Sequence, residues 1–292
     1  GDLNRQTPAH IYRADKVFHE ITQVANQQGT LIDFYNYEIE VQRSFDRGST
    51  TEIISNFRSN PNICKSGDPV WGRWDHELIY WIHTTPSDPN HLYVALRNWD
   101  WQERIFRTTL ADNPDASAVA ASWEEVPHPR RVGIHEEPRD ARPASIAFDP
   151  DNRDMIYLAY TSSKIEDPDD LLSLTAKKMV FKMDLTQLNQ YPPTGHFDCG
   201  GSIPCEDLTM NLPNTVGDQD ALVFEQGSNE GLYLATEAGV YYTDRARIAA
   251  FDPNAIPPVD PDDLNNSSGW VRLGGALPHC ASRGMEANYN IN

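Results

Sequence analysis

Basic side chains are scarce in this chain of 292 residues: lysine and arginine total 24 against 43 aspartates and glutamates, a formal net charge of −19. Neutralising phosphates needs a basic surface, so a general nucleic-acid binder is excluded and attraction to an anionic membrane surface is argued against. No run approaches the ~20 apolar residues of a membrane span, so direct membrane insertion is not expected. Cysteine occupies only positions 64, 199, 205 and 280, with no CxxC pair, and no histidine pair at ligand spacing lies near them. The nine histidines form no metal pattern; His128 and His135 fall in a Pro/Arg-rich loop and read as solvated. No metal and no cofactor is expected. Helical periodicity is nearly absent, the best candidate being residues 169–174, which read as a loop insertion. The chain opens Gly1-Asp2-Leu3-Asn4, without methionine, basic n-region or apolar h-region, so a mature or excised segment is expected.

Hydrophobic residues make up 39% and charged residues 23%, the balance of a globular chain rather than a disordered one. Cys199 and Cys205 enclose Gly-Gly-Ser-Ile-Pro, a flexible turn suited to a small disulfide loop, with zinc as the competing reading. Cys64 and Cys280 are a further pair whose separation the sequence does not set. The even cysteine count, the acidity and the abundant Pro, Asn and Asp favour an exported protein, secreted or at the cell surface.

Strand-like runs rich in β-branched and aromatic residues, bounded by Pro, Gly, Asn and Asp, dominate the chain and make it all-β. Three segments share one plan: an apolar strand, a turn containing Pro, Asn or Gly, then a strand with tyrosine followed by a small residue. They run from Trp81 to Ala95, from Ser145 to Ala159 and from Ala221 to Ala235. Each is followed by a third strand, at 104–109, 178–184 and 239–244. Fourth strands follow at Trp123–Val126 and Trp270–Leu273, with Cys205–Met210 as a looser match. Four strands per unit, repeated with insertions, is the plan of a β-propeller of four-stranded antiparallel blades. Approximate blades are 30–57, 77–126, 143–210 and 219–274, with 11–22 and 285–291 as partial ones. That makes a single propeller of four to five blades over 1–292, or part of a larger ring. The spacing of Tyr93, Tyr157 and Tyr233 exceeds the ~40–50 residues of a lean blade, so the loops are long. The stretches 127–143, 165–170 and 251–268 read as solvated insertions.

Residues Ser44-Phe45-Asp46-Arg47-Gly48-Ser49-Thr50-Thr51 resemble the Asp-box of sialidase-type (BNR) repeats, Ser-x-Asp-x-Gly-x-Thr-Trp, with Thr51 in place of the usual tryptophan. The resemblance makes Ser44, Asp46, Gly48 and Thr50 a structural device. The aspartate accepts backbone N–H bonds in a hairpin, and glycine supplies a turn conformation that other residues avoid. A degenerate version runs from Thr108 to Asp112 and leads to Trp123. The C-terminal unit, from Leu232 to Pro278 and on to Tyr289, looks like secreted Asp-box propellers of Bacteroidota. Such proteins often carry a type IX secretion sorting domain, and none is recognised within these residues.

Sialidase activity needs an arginine triad, a Tyr/Glu pair and an acid. The family's Arg-Ile-Pro motif is missing, since Arg104-Ile105-Phe106 matches only as a third strand, and a sialidase is excluded. The resemblance also covers endo-acting glucanases that use two carboxylates, for which Asp75 and Glu77 are the candidate catalytic pair. Residues two apart on a strand share a face, although that spacing does not set the separation of the carboxyls. Acids on the rim of an acidic protein are the plainer account of both.

Five of the seven tryptophans fall between positions 71 and 101. Trp71, Trp99 and Trp101 are candidate ligand-binding residues, because indole faces stack on sugar rings. Trp81 reads as packing between blades. Asp149, Asp151 and Asp154 read as a structural turn in preference to a calcium loop, which would need a glycine and a closing glutamate. Asn265-Asn266-Ser267-Ser268 holds two overlapping N-glycosylation patterns, which matter only in a host that uses them.

These features lead to the expectation of an exported, non-catalytic recognition module that binds a polysaccharide or a surface protein, with further domains in the same polypeptide. The alternative is a propeller-type glycoside hydrolase using Asp75 and Glu77. A structural or assembly subunit is the third reading, and fold alone does not choose among them.

Overall fold

The computed structural model describes residues 10–25, 28–55, 57, 76–98, 103–129, 143–160, 180–191, 196–197, 199, 203–213, 219–224, 231–236, 239–255, 259–263 and 265–274. The chain divides into two compact units, Gly1–Thr84 with Asp88–Val126, and Thr85–Ser87 with Pro127–Asn292.

The first unit holds β1 (Ile11–Ala25), β2 (Leu31–Ser44), β3 (Glu52–Ile53), β4 (His76–Thr85), β5 (Asp88–Asn98), β6 (Glu103–Thr108), helix α1 (Ala116–Ser122) and β7 (Glu124–Val126). They make two sheets of strand order β1-β2-β3 and β4-β5-β6-β7. Residues 11–22, set apart above as a partial blade, differ from that reading. They lie in one long strand that pairs with β2 from Ile11↔Ser44 to Ala25↔Leu31. A register shift between Phe18 and Glu20 interrupts the alternation of side chains along it.

The second unit holds β8 (His128–Pro129), β9 (Pro143–Phe148), β10 (Met155–Tyr160), β11 (Val180–Asp184), a 3-10 helix (Leu185–Gln190), β12 (His196–Phe197), β13 (Cys205–Asp207), β14 (Gln219–Phe224), β15 (Leu232–Thr236), β16 (Gly239–Thr243), helix α2 (Arg245–Ala250) and β17 (Val271–Leu273). Its sheets run β9-β10-β11-β13 and β14-β15-β16-β17, beside a small parallel pair of β8 and β12. The expected all-β architecture of antiparallel four-stranded sheets is therefore present in three sheets. The fourth has three strands among the described residues.

Each unit closes around its own apolar core. In the first, Ile39, Val41, Leu92, Val94, Phe106 and Trp123 pack together. In the second, Tyr157, Leu208, Leu222, Leu234, Tyr241 and Trp270 do so. The runs Leu92–Leu96 and Ile156–Tyr160 are buried residue by residue, so both faces of these strands are covered and the sequence shows no polar alternation there.

The two cores are locked by the same set of bonds. In the first unit Ile54, one residue past β3, donates its N–H to the Val41 carbonyl at 2.8 Å and accepts from Trp123 Nε1 at 2.6 Å. The Val41 N–H meets the Ser55 hydroxyl at 2.8 Å. In the second unit Leu208, one residue past β13, donates to the Val180 carbonyl at 2.8 Å and accepts from Trp270 Nε1 at 2.8 Å. The Val180 N–H meets the Thr209 hydroxyl at 3.3 Å. Each tryptophan stands one residue before the edge strand of its own sheet and reaches the edge of the preceding sheet within its unit. A buried indole N–H needs an acceptor, and the first free carbonyl beyond an edge strand supplies one.

The helices are not foreshadowed by any periodicity, yet they share a local cause. Asp115 accepts from Ser117 N and Ala118 N to cap α1, Asp184 accepts from Thr186 N to cap the 3-10 helix, and Asp244 accepts from Arg247 N to cap α2. All three lie in connections that lead to an edge strand. Aspartate before a short run of helix formers was the available signal.

Candidate functional site

The turn between β2 and β3 has the geometry its residues dictate. Asp46 Oδ1 accepts from the Thr50 N–H at 2.8 Å and Oδ2 from the Thr50 hydroxyl at 2.7 Å. The Ser44 hydroxyl donates to Asp46 Oδ1 at 2.8 Å and accepts from the Gly48 N–H at 2.7 Å. Gly48 has φ +89, the left-handed region where a side chain is strained, and Arg47 precedes it at φ 61. The Thr50 N–H, then the Thr50 and Ser44 hydroxyls, hold the Asp46 carboxyl well below the usual carboxylate range, at about 2. Asp46 therefore stays ionised throughout the neutral range and serves as an acceptor, not as an acid.

A depressed folded pKa contributes stability that is present above the unfolded value of about 4 and is lost as pH falls toward 2. Asp46→Asn should accordingly melt below the wild type at pH 6. The gap should close as pH falls from 4 to 2, measured by thermal denaturation across that range. A gap independent of pH would show that the charge of Asp46 contributes nothing.

Beside this turn, Arg43 is buried. Its Nε donates to Glu52 at 2.7 Å, its Nη1 to the Ala111 carbonyl at 2.6 Å, and its guanidinium carbon lies 4.5 Å from the centre of the Phe45 ring. Tyr12 donates to Asp112 Oδ1 at 2.5 Å, and His10 Nδ1 lies 2.9 Å from the same oxygen. Burial, reinforced by Asp112, pushes the Tyr12 phenol above its ordinary range, so it remains a neutral donor and no nucleophile. These groups tie the start of β1 to the connection after β6. Sequence reasoning missed the cluster because its members lie about a hundred residues apart.

Two other readings are settled locally. Asp149 Oδ1 accepts from Asp151 N at 2.9 Å and Asn152 N at 3.2 Å, and Oδ2 faces Arg245 at 3.3 Å, which is a structural turn. His128, read above as solvated, is instead 1% exposed, with Nδ1 at 2.8 Å from the Tyr160 hydroxyl. The correction has a simple cause: β8 pairs with β12 and draws His128 out of the loop into the interior. His135 lies outside the described residues.

Cys199 and Cys205 form a disulfide with Cα atoms 5.3 Å apart, joining β13 to the chain just before it. In the chain-entropy account, cross-linking so short a loop is worth about 2 kcal/mol. The double substitution Cys199→Ser and Cys205→Ser should lower the denaturation free energy of the second unit by that amount. Equilibrium unfolding in urea, with and without reductant, measures it. Cys64 and Cys280 lie outside the described residues.

Glu77 is the second residue of β4, and Trp81 in the same strand is buried at 8% exposure, as packing requires. Asp75, Trp71, Trp99 and Trp101 lie outside the described residues. The strands around them are informative nevertheless. Only Pro86 and Ser87 separate β4 from β5, so the two form a hairpin and the start of β4 lies at the same end of the sheet as the end of β5. Among the described residues no group of three or more His, Cys, Asp or Glu side chains could hold a metal ion, and no helix is long and apolar enough to cross a membrane.

No protein-family model matches the chain, and no curated protein matches it either. Among solved structures it is similar to the alpha-L-arabinofuranosidase Arb93A of Fusarium graminearum in complex with an iminosugar inhibitor. The identity is 12% and the TM-score 0.37, over 89% of this chain and 63% of that one. It is also similar to the GH43_1 enzyme of Xanthomonas citri complexed with xylotriose, at 11% identity and TM-score 0.31, over 82% of this chain and 72% of that one. The chain thus spans less than two thirds of the length of the arabinofuranosidase. Both neighbours are named as enzymes, which is at odds with the expectation of a non-catalytic recognition module; at these TM-scores the likeness assigns no role to this chain.

Proposed function

We propose that this chain is an exported glycoside hydrolase of the propeller type, acting on a polysaccharide through Asp75 and Glu77. The observation that carries the reading is the topology of the second sheet. Glu77 sits at the start of β4, and Asp75 immediately precedes that strand. Trp99 and Trp101 belong to the connection that leaves β5 at the same end of that sheet, and Trp71 precedes β4 by a few residues. Because the start of β4 and the finish of β5 share one end of the sheet, the sequence positions of Asp75, Glu77, Trp99 and Trp101 beside those strand ends support a common site there.

The chemistry needs this combination. One carboxyl group protonates the leaving glycosidic oxygen, and the other acts as nucleophile or activates water at the opposite face of the sugar. The indoles offer flat apolar faces to the sugar rings. The repeated four-stranded sheets, the paired tryptophan bonds and the Asp-box turn at Ser44–Thr50 support a propeller, in which blades surround a central channel and their first strands lie nearest to it. The disulfide supports an oxidising compartment and hence export. Release of reducing ends from a panel of arabinans, xylans and β-glucans tests the proposal, with the acid variants treated below as controls.

A further inference from the structure

The connection from α2 to β17 carries Asn265-Asn266-Ser267-Ser268, in which each asparagine begins an Asn-x-Ser acceptor pattern. The two asparagines are not equivalent in the fold. Asn265 and Ser267 are exposed, and the Asn265 carboxamide meets the neighbouring Asp263 carboxylate at 3.2 Å. Asn266 is half-buried with both ends of its carboxamide engaged. Its Nδ2 donates to the Ser268 carbonyl at 2.8 Å, while its Oδ1 accepts from the Ser268 N–H at 2.9 Å and the Ser268 hydroxyl at 3.2 Å.

The segment is held from beneath as well. Arg247 donates to the carbonyls of Asn266 at 2.7 Å, Ser268 at 3.3 Å and Gly269 at 2.9 Å. Gly269 has φ +62, and a Cβ there would collide with the Asn211 carboxamide oxygen. The turn at Asn266 is thus packed against the residues that deliver Trp270 to the core. A sugar on Asn266 Nδ2 would have to displace that packing, whereas one on Asn265 would extend into solvent.

We infer that Asn265, and not Asn266, is an N-linked glycan acceptor when the protein is made in a secretory compartment holding a lipid-linked diphospho-oligosaccharide. The Cys199–Cys205 bridge is of the kind that forms in the oxidising compartments where such transfer occurs. In the transfer, Asn265 Nδ2 loses a proton and forms a bond to C1 of the first sugar. The bond from that C1 to the phosphate oxygen breaks, and the lipid diphosphate leaves with its electron pair. The glycan then marks the outer side of the loop that precedes β17, without touching the Arg247 network.

The two serines separate the two acceptors without altering either asparagine. Ser267→Ala abolishes the pattern that begins at Asn265 and keeps the one formed by Asn266 and Ser268, whose middle position tolerates alanine. Ser268→Ala abolishes the second pattern and keeps the first. The full chain is secreted from a eukaryotic host, and glycan release by an amidase in heavy-oxygen water marks the modified asparagine by mass spectrometry. The expected result is a label on Asn265 in the wild type, its loss in Ser267→Ala and its retention in Ser268→Ala. A label on Asn266, a label surviving in Ser267→Ala, or an unmodified wild type would each overturn the inference. Circular dichroism of the secreted Ser267→Ala protein checks that its sheets form.

Discussion

Trp123→Ala should lower the stability of the first unit by about 3–5 kcal/mol, and Trp270→Ala should do the same to the second. Both indoles are fully buried, and both bond a backbone carbonyl at the edge of the preceding sheet in their own unit. Removing Trp123 opens a cavity beside Phe57 and Phe106, whose rings stack 5.0 Å apart, and strips the Ile54 carbonyl of its donor. Removing Trp270 does the same to Leu208 and also disturbs Asn211, which bonds both the Trp270 N–H and its carbonyl. Trp123→Phe separates the two effects. It keeps most of the apolar volume and leaves one buried carbonyl unsatisfied, a loss of about 1–3 kcal/mol. Denaturant unfolding followed by circular dichroism reads all three variants. Since the chain has two units, a variant in one should shift one transition and leave the other in place. A Trp123→Ala protein as stable as the wild type would refute the locking role of these bonds.

Much of this fold is written in local sequence. The second strands are marked by Tyr93, Tyr157 and Tyr233 among apolar neighbours, and in the first two of them both faces are covered. The Asp46 turn is legible because every bond in it lies within a few residues. Where the sequence misleads, the cause lies beyond the local window. The pairing of β1 with β2, interrupted by a bulge near His19, joins residues that the sequence sets apart as a partial blade to the sheet that follows, and parallel pairing with a partner almost seventy residues away buries His128. The helices were missed because each is only two turns or less, too short to display a periodicity, although Asp115, Asp184 and Asp244 announce where they begin. The tryptophan bonds were out of reach for a different reason. Trp123 and Trp270 are visible as the first residues of edge segments, but their acceptors are backbone carbonyls of another sheet. The candidate acids stand between these cases. Asp75 and Glu77 are candidates by their spacing in the sequence, while the meeting of the start of β4 with the finish of β5 at one end of the sheet depends on strand order.

For those acids the expected effect is the largest of all. General acid or base catalysis by a positioned carboxyl contributes about 10²–10⁴ in rate, so Asp75→Asn and Glu77→Gln should each reduce turnover by at least about 100-fold. Both substitutions keep size and hydrogen-bonding capacity while removing the proton-transfer function. Trp99→Ala should act differently: it removes a stacking face, so KM should rise while kcat changes little. The decisive measurement is the rate of reducing-end release from soluble polysaccharide by the wild type, Asp75→Asn and Glu77→Gln at matched concentration and confirmed folding. The account predicts measurable release by the wild type and loss of at least about 100-fold in each variant. Release that persists unchanged in both variants, or its absence from the wild type across arabinans, xylans and β-glucans, would contradict it.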